Sequence, residues 1–185
     1  MADRLVRYWV YGGFLAGLLL LALLPLLTAG WSTVETLTFA VLPAYMLHQY
    51  EEHDDDRFRR FVNAKLAGGR DALTPRAVFV INIVGVWAVL AAVIWITRDV
   101  AQGFATVAAW IILVNAALHI AQGFALKCYN PGLATAVVLF VPLGLVLLRT
   151  ALPVASLGQT LAGLGFAIAL HAAIVLHVRR RIEAA

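Results

Sequence analysis

Six long apolar stretches occupy most of the chain, and they leave little sequence for a soluble core. They cover roughly residues 8–28, 33–50, 77–97, 101–126, 132–149 and 154–178. Most approach the ~20 residues that a helix needs to cross the hydrocarbon of a bilayer. Lipid offers no hydrogen-bond partner to the backbone, so segments of this kind are helical. We therefore predict an all-α membrane protein with about six transmembrane helices in a single domain, 1–185.

Composition and turn signals support this reading. The chain is 63% hydrophobic and 13% charged, whereas a soluble domain is about 25% charged. Ser32 and Glu35 form a capping-box pattern before the second stretch. Thr74-Pro75 and Asn130-Pro131 each offer a cap and a first-turn proline, before the third and fifth stretches. Gly68-Gly69 is expected to end any helix that continues past the second stretch.

The basic residues predict the orientation. With the N-terminus in the cytoplasm, 14 Lys and Arg residues all fall inside except Arg98 and Arg149. Such an excess of positive charge is typical of cytoplasmic loops. Both termini are therefore predicted to be cytoplasmic. The charge pattern predicts contact with membrane lipids and no nucleic-acid partner, and it leaves open whether the chain forms a homo-oligomer.

Polar residues of four helices are predicted to lie at one depth. His48 lies nine residues before Arg57, and His119 and His171 each lie eight residues before a basic residue. Asn82 lies six residues after another. At the helical rise per residue, this places all four on the order of 9–14 Å inward of the cytoplasmic charges. Ionisable groups at such a depth are expensive and usually functional.

The spacing of these residues is typical of a metal site. His48, Glu51 and Glu52 stand at i, i+3 and i+4, so they share one helix face. With His119, and with His171 as a further candidate, they form a ligand set suited to a divalent metal such as Zn or Fe. Two adjacent glutamates allow one ligand and one general base, and the sequence does not say which is which.

Other residues of the layer have candidate roles beside the metal. Asn115 stands four residues before His119 and, like Asn82, can hold a substrate oxygen or a water. Purely structural roles are also open, since Glu51 and Glu52 can pair with Arg57, and His171 or Asn82 can serve helix packing. His53 precedes three aspartates and is predicted to be solvated.

Three motifs occur in order: His48-x-x-Glu51-Glu52, Asn115-x-x-x-His119 and Tyr129-Asn130-Pro131-Gly132. Together they resemble the HXXEE-motif membrane protein family of bacteria, over about residues 40–145. The function of that family is largely uncharacterised, so the resemblance supports the choice of residues and supplies no reaction. Tyr129 is expected at the cytoplasmic mouth of the polar layer, where it can line an entrance.

These observations predict a metal-dependent membrane enzyme that acts on a lipid-like or isoprenoid substrate. Zn favours hydrolysis and Fe favours oxidation, with hydrolysis slightly preferred; a metal-free isomerase is a further alternative. Glu51, Glu52, Asn115 and Tyr129 are the predicted catalytic residues. A proton- or metal-linked transporter using the same layer is the main alternative, although transporter sites are usually at the bilayer midplane between repeats.

Overall fold

The computed structural model describes residues 2–183 and has a long helix in each of the six apolar stretches. These helices are α1 (Ala2–Ala22), α2 (Thr33–His53), α3 (Pro75–Asp99), α4 (Gln102–Leu126), α5 (Leu133–Val154) and α6 (Leu157–Glu183). All except α2 are apolar enough to cross a membrane on their own. The 21-residue α2 is also long enough, but it carries the polar motif. The predicted all-α bundle with about six spans is confirmed.

Several of these helices contain tight or wide turns. Short helices follow α1 and α2, at Leu24–Leu27 and Arg57–Phe61. Wide π-helical turns occupy Val62–Leu66, Ile83–Ala88 in α3 and Ala136–Phe140 in α5. Tighter 3₁₀ turns occupy Asp54–Asp56, Gln102–Phe104 and Leu152–Val154. Such irregular turns are often found at functional sites, and the turn in α5 contacts the site described below.

The helix starts agree with two of the three predicted caps. Ser32 and Glu35 exchange their capping-box hydrogen bonds at 3.3 and 2.7 Å, and Thr74 accepts from the Ala77 amide ahead of Pro75. The third prediction is wrong, because Gly132 rather than Asn130 precedes the first helical residue of α5. Asn130 is fully buried and bonds to another helix instead.

Helix α2 lies at the centre of the bundle, where α1, α3, α4 and α5 pack against it. Its first half is enclosed by an apolar core in which five large residues of four helices are at most 1% exposed: Val41, Leu90, Ile111, Ile112 and Leu147. Helix α6 packs along α4. This arrangement shelters the polar second half of α2, which explains how a helix of lower apolarity can lie inside a membrane bundle.

Both ends of the chain lie at the same end of the bundle. Arg76, at the start of α3, approaches Asp3 at 3.5 Å. Arg70 Nη1, in the linker before α3, donates to the Ile182 carbonyl at 2.7 Å. The start of α1, the linker and the end of α6 therefore meet on one side, as an even number of spans requires. That this side is the cytoplasm stays a prediction.

Candidate metal centre

Three buried side chains converge between α2 and α4. His48 Nε2 lies 3.5 Å from Glu52 Oε2, and His119 Nε2 lies 3.0 Å from Glu52 Oε1. The three candidate ligand atoms lie within 4.8 Å of one another. The residues are only 0%, 6% and 5% exposed for His48, Glu52 and His119. Two imidazoles and one carboxylate in this proximity can hold one divalent cation.

Hydrogen bonds fix the tautomer of His48. Its Nδ1–H donates to Thr135 Oγ1 at 2.7 Å, because the Thr135 hydroxyl hydrogen is already donated to Glu51 Oε2. This leaves the lone pair on Nε2, which is buried and has no hydrogen-bond partner. A histidine ligand of a metal commonly has its other nitrogen bound in this way.

A second pair of hydrogen bonds fixes His119. Its Nδ1–H donates to Asn130 Oδ1 at 2.7 Å, and Asn130 Nδ2 donates to the His119 carbonyl at 2.9 Å. The Nε2 lone pair of neutral His119 then faces the Glu52 carboxylate. Two acceptors at 3.0 Å repel each other unless a cation or a proton lies between them. The arrangement is therefore satisfied by a proton shared between His119 and Glu52 or by a cation bound where the three residues meet.

The backbone at Gly132 closes against the same three residues. A Cβ at this position would lie 2.7 Å from Glu52 Cγ, 2.7 Å from His119 Cε1 and 2.9 Å from His48 Cε1. The residue also has φ +98°, which favours glycine. Both the space and the backbone conformation therefore require glycine here.

Glu51 does not join this group. Its Oε1 accepts from the Tyr129 hydroxyl and the Ala134 amide, and its Oε2 accepts from the amide and hydroxyl of Thr135. These four donors occupy the lone pairs of the carboxylate. Two of them are amides at the N-terminus of α5, where a negative charge is stabilised. The structure thus separates the two glutamates, with Glu52 between the histidines and Glu51 at the start of α5.

Tyr129 lies in the loop between α4 and α5, and its hydroxyl donates to Glu51. Burial, together with its hydrogen bond to Glu51, raises the pKa of Tyr129 to about 12. At neutral pH its hydroxyl is therefore a donor. Tyr129 is 54% exposed, so this residue connects the half-buried carboxylate of Glu51 to the surface.

His53 is a third histidine beside Glu52, and the prediction that it is solvated is wrong. It is 7% exposed, and its Nε2 lies 3.4 Å from Glu52 Oε2. The chain turns sharply after it, because Asp55 and Asp56 adopt left-handed conformations. This turn carries the three aspartates away while the imidazole stays inside. The three aspartates after His53 led to the prediction that it is solvated. The one signal for burial is that His53 lies four residues after Gln49, so the two share a helix face.

A buried chain of amides connects His53 to α3. The Asn82 amide lies 3.3 Å from His53 Nε2, and Asn82 Oδ1 accepts from Gln49 Nε2 at 2.8 Å. Gln49 Oε1 in turn accepts from Trp87 Nε1 at 2.5 Å. Asn82 is therefore a bridge between α2 and α3, which is the helix-packing alternative considered for it.

A cavity of about 570 Å³ reaches the candidate centre from the side. Glu52, His53 and His119 lie at its wall, as do Asn115 and His171. Apolar residues of α3, α4 and α6 form most of the remaining wall, and two of them, Leu118 and Val175, are 44% and 55% exposed. Part of the cavity wall is therefore exposed at the outer surface of the bundle.

Asn115 and His171 line the cavity outside the three-residue group. Asn115 Nδ2 donates to the Tyr45 hydroxyl at 3.0 Å, while its buried Oδ1 has no partner. His171 Nδ1–H donates to the Ala167 carbonyl at 2.8 Å, which leaves its Nε2 as an acceptor. The structure therefore places both residues where a bound molecule can contact them.

The model of one protein family, described as "Protein of unknown function with HXXEE motif", matches residues 39–147. This match covers more than half of the chain. The chain belongs to this family. No curated protein and no solved structure matches it.

In this member of the HXXEE family, the matched segment contains the whole centre and its supporting residues. It includes His48, Glu52 and His119 as well as the Asn130 and Gly132 that contact them. It ends before α6, so His171 lies outside it. The name-giving motif therefore supplies two residues of the centre, and Glu51 of the motif instead anchors α5.

Proposed function

We propose that the protein is a metal-dependent membrane enzyme whose centre is formed by His48, Glu52 and His119. The observation that carries this proposal is the pair of oriented imidazoles, whose Nε2 lone pairs both face one buried carboxylate. A structural ion pair does not need both tautomers fixed in this way. Binding of one divalent cation satisfies all three groups at once.

The ligand set fits zinc or iron. Two histidines and one carboxylate are found in catalytic zinc sites and in non-haem iron oxygenases. Bound zinc would supply Lewis acidity, and bound iron would supply redox chemistry. Either cation would leave a position for water or substrate. Hydrolysis follows from zinc and oxidation from iron, with hydrolysis slightly preferred.

The supporting residues have distinct roles in this proposal. Glu51 holds Thr135, and Thr135 fixes the tautomer of His48. Asn130 does the same for His119. Because Glu51 has no free lone pair, it serves as a positioning residue rather than as a ligand or base. Loss of such supporting hydrogen bonds typically lowers metal affinity about 10–100-fold.

The shape of the cavity indicates a lipid-like substrate. Its volume of about 570 Å³ lies in the usual range for small-molecule sites, about 300–1,000 Å³. The wall is mostly apolar and opens between helices rather than into water, with the polar residues at the centre. An amphipathic molecule can enter from the leaflet with its apolar part among α3, α4 and α6. We place the protein in the inner membrane of a bacterium, with this side in the cytoplasm.

A transporter is the less favoured reading. The first half of α2 is packed against a closed apolar core, formed among the described residues by Val41, Leu90, Ile111 and others. Thr38, the buried threonine in that half of α2, donates to its own helix backbone. Among the described residues, the core around this half of α2 therefore consists of apolar side chains and threonines and contains no charged side chain or histidine.

Elemental analysis of the purified protein tests the metal proposal. We expect about one zinc or iron per chain, and its loss in His48→Ala and in His119→Ala, because each variant removes one of three ligands. His177→Ala is the matched control, since His177 is an exposed histidine of α6. It should keep the metal.

The protein must be prepared without chelator, and folding is checked by circular dichroism and gel filtration. Folded wild type without metal, even after incubation with zinc or ferrous ion, would contradict the proposal. Full metal content in both ligand variants would equally contradict the assigned residues. Identification of zinc or iron then decides whether esters or oxidisable lipids are screened as substrates.

A further inference from the structure

The cavity contains a second feature, a pair of unused hydrogen-bonding groups where its apolar wall meets the centre. Asn115 Oδ1 is buried without a partner, and His171 has a free Nε2 because its Nδ1–H is bound to the Ala167 carbonyl. These residues come from α4 and α6, which pack together along their length. A buried polar group without a partner is costly, so Asn115 Oδ1 favours a ligand that satisfies it, and His171 Nε2 offers a second acceptor in the same cavity.

The electrostatics of the cavity select the ligand further. Glu52 is the one acidic residue on the described wall, and Arg179 is the one basic residue. Arg179 lies eight residues beyond His171 along α6, so it is about 12 Å from the polar end. An anionic headgroup has no hydrogen to donate to the two acceptors, Asn115 Oδ1 and His171 Nε2. A cationic headgroup would be repelled by a divalent metal held by a single carboxylate.

We infer that Asn115 and His171 form a subsite for the hydroxyl group of a long-chain alcohol, whose apolar chain lies between α3, α4 and α6. An uncharged hydroxyl can donate to one of these acceptors while its oxygen stays available to the centre. The wall runs about 15 Å along α4, from Asn115 to Ala125, and the lining residues of α3 and α6 are mostly apolar. The assignment rests on the proposed function, because the hydroxyl is placed beside the proposed metal centre.

Binding of three matched probes tests this subsite. Native mass spectrometry of the metal-loaded protein in detergent measures the affinity for 1-hexadecanol, for its methyl ether and for hexadecanoate. The ether has the same chain but cannot donate a hydrogen bond, and hexadecanoate carries a negative charge. We expect the alcohol to bind about three- to tenfold more tightly than the ether, as one hydrogen bond allows. Hexadecanoate has no hydrogen to donate, so its affinity should not change in Asn115→Leu.

Two variants of α4 locate the hydrogen bond. Asn115→Leu should reduce the alcohol-to-ether ratio toward one, because it removes the acceptor. Gln122→Leu is the matched control, since Gln122 is another amide on the cavity wall, about two turns along α4. It should leave the ratio unchanged. Because the alcohol and the ether have the same apolar chain, a general loss of apolar contacts lowers both affinities and leaves their ratio unchanged.

No preference for the alcohol over the ether in wild type would overturn the inference, and so would an affinity for hexadecanoate that falls in Asn115→Leu as much as that for the alcohol. An unchanged ratio in Asn115→Leu, or an equal loss in Gln122→Leu, would do the same. If Asn115→Leu does not fold, His171→Phe takes its place with the same expectation. Metal content of each sample is measured in parallel. A metal-free wild type that still prefers the alcohol contradicts the proposed function and supports the subsite.

Discussion

Replacement of Gly132 by alanine tests how closely the loop before α5 controls the centre. The new Cβ would lie 2.7 Å from atoms of both Glu52 and His119, so either the loop or the ligands must move. A clash of this kind in a packed interior costs about 1–3 kcal/mol. The backbone adds a second cost, since φ is +98° and a left-handed conformation costs an L-residue about 1–2 kcal/mol. Together they predict a loss of about 2–5 kcal/mol in the free energy of unfolding.

Two other glycines separate these costs. A Cβ at Gly68 meets open space but the residue has φ +61°, so Gly68→Ala carries the conformational cost alone. Gly144 lies in helix α5, and a Cβ there would lie 2.7 Å from Cγ of Leu113 in α4. Gly144→Ala therefore carries a clash that is away from the centre. Both controls should keep their metal, whereas Gly132→Ala should lose affinity for it.

The assay combines thermal unfolding of the detergent-solubilised variants with elemental analysis. Each kcal/mol corresponds to about 2–4 °C in the midpoint for a chain of this size. Gly132→Ala should therefore unfold about 2–12 °C below Gly68→Ala, as the clash alone requires. If Gly132→Ala unfolds no earlier than Gly68→Ala and binds metal as the wild type does, the contact between this loop and the ligands is refuted.

Two further predictions concern the adjacent glutamates and the tyrosine at the surface. Glu52→Gln should abolish metal binding. Glu51→Gln should weaken it only about 10–100-fold, because Glu51 acts through Thr135 and His48. Equal losses of metal affinity in titrations of the two variants would contradict these separate roles. Since burial and Glu51 raise the pKa of Tyr129 to about 12, the stability that this residue contributes is complete below pH 10.0, its ordinary value, and is lost as the pH rises toward 12. Unfolding midpoints of wild type and Tyr129→Phe should therefore differ at pH 9 and converge at alkaline pH, and a constant difference would count against this hydrogen bond.

Much of the centre could be predicted from counting along the chain. The distances of His48 and His119 from the basic residues place them at one depth, and the structure brings these two imidazoles into one group with Glu52. This works because a transmembrane helix has a fixed rise and its cationic ends have a fixed depth. The cytoplasmic charges therefore give a reference level for residues on different helices.

Counting along the chain could not predict which of Glu51 and Glu52 lies between the two histidines. Neighbouring residues on a helix point about 100° apart, and either direction was compatible with the face of His48. What decides it is the N-terminus of α5, which binds Glu51 with two amides. The position of that helix end relative to α2 is a tertiary property, and the residue spacing within α2 contains no information on it.

The sequence pattern also could not predict the contacts of the loop between α4 and α5. Asn130-Pro131 is typical of a helix start, but Asn130 bonds to His119 because the chain folds back over the end of α4. Lys127 has φ +50°, which allows that reversal directly after the last helical turn. Local propensity predicts a turn here but not the surface on which the turn lies.

The exposed wall of the cavity affects how the affinity of any ligand must be measured. Leu118 and Val175 line it and remain open to the surroundings of the bundle. If a ligand enters there from the lipid phase, as proposed, its occupancy depends on its mole fraction in the membrane and not on its concentration in water. At constant total ligand, added inert lipid or detergent then lowers occupancy by dilution in two dimensions. An affinity for this protein is therefore defined only together with the amount of lipid present.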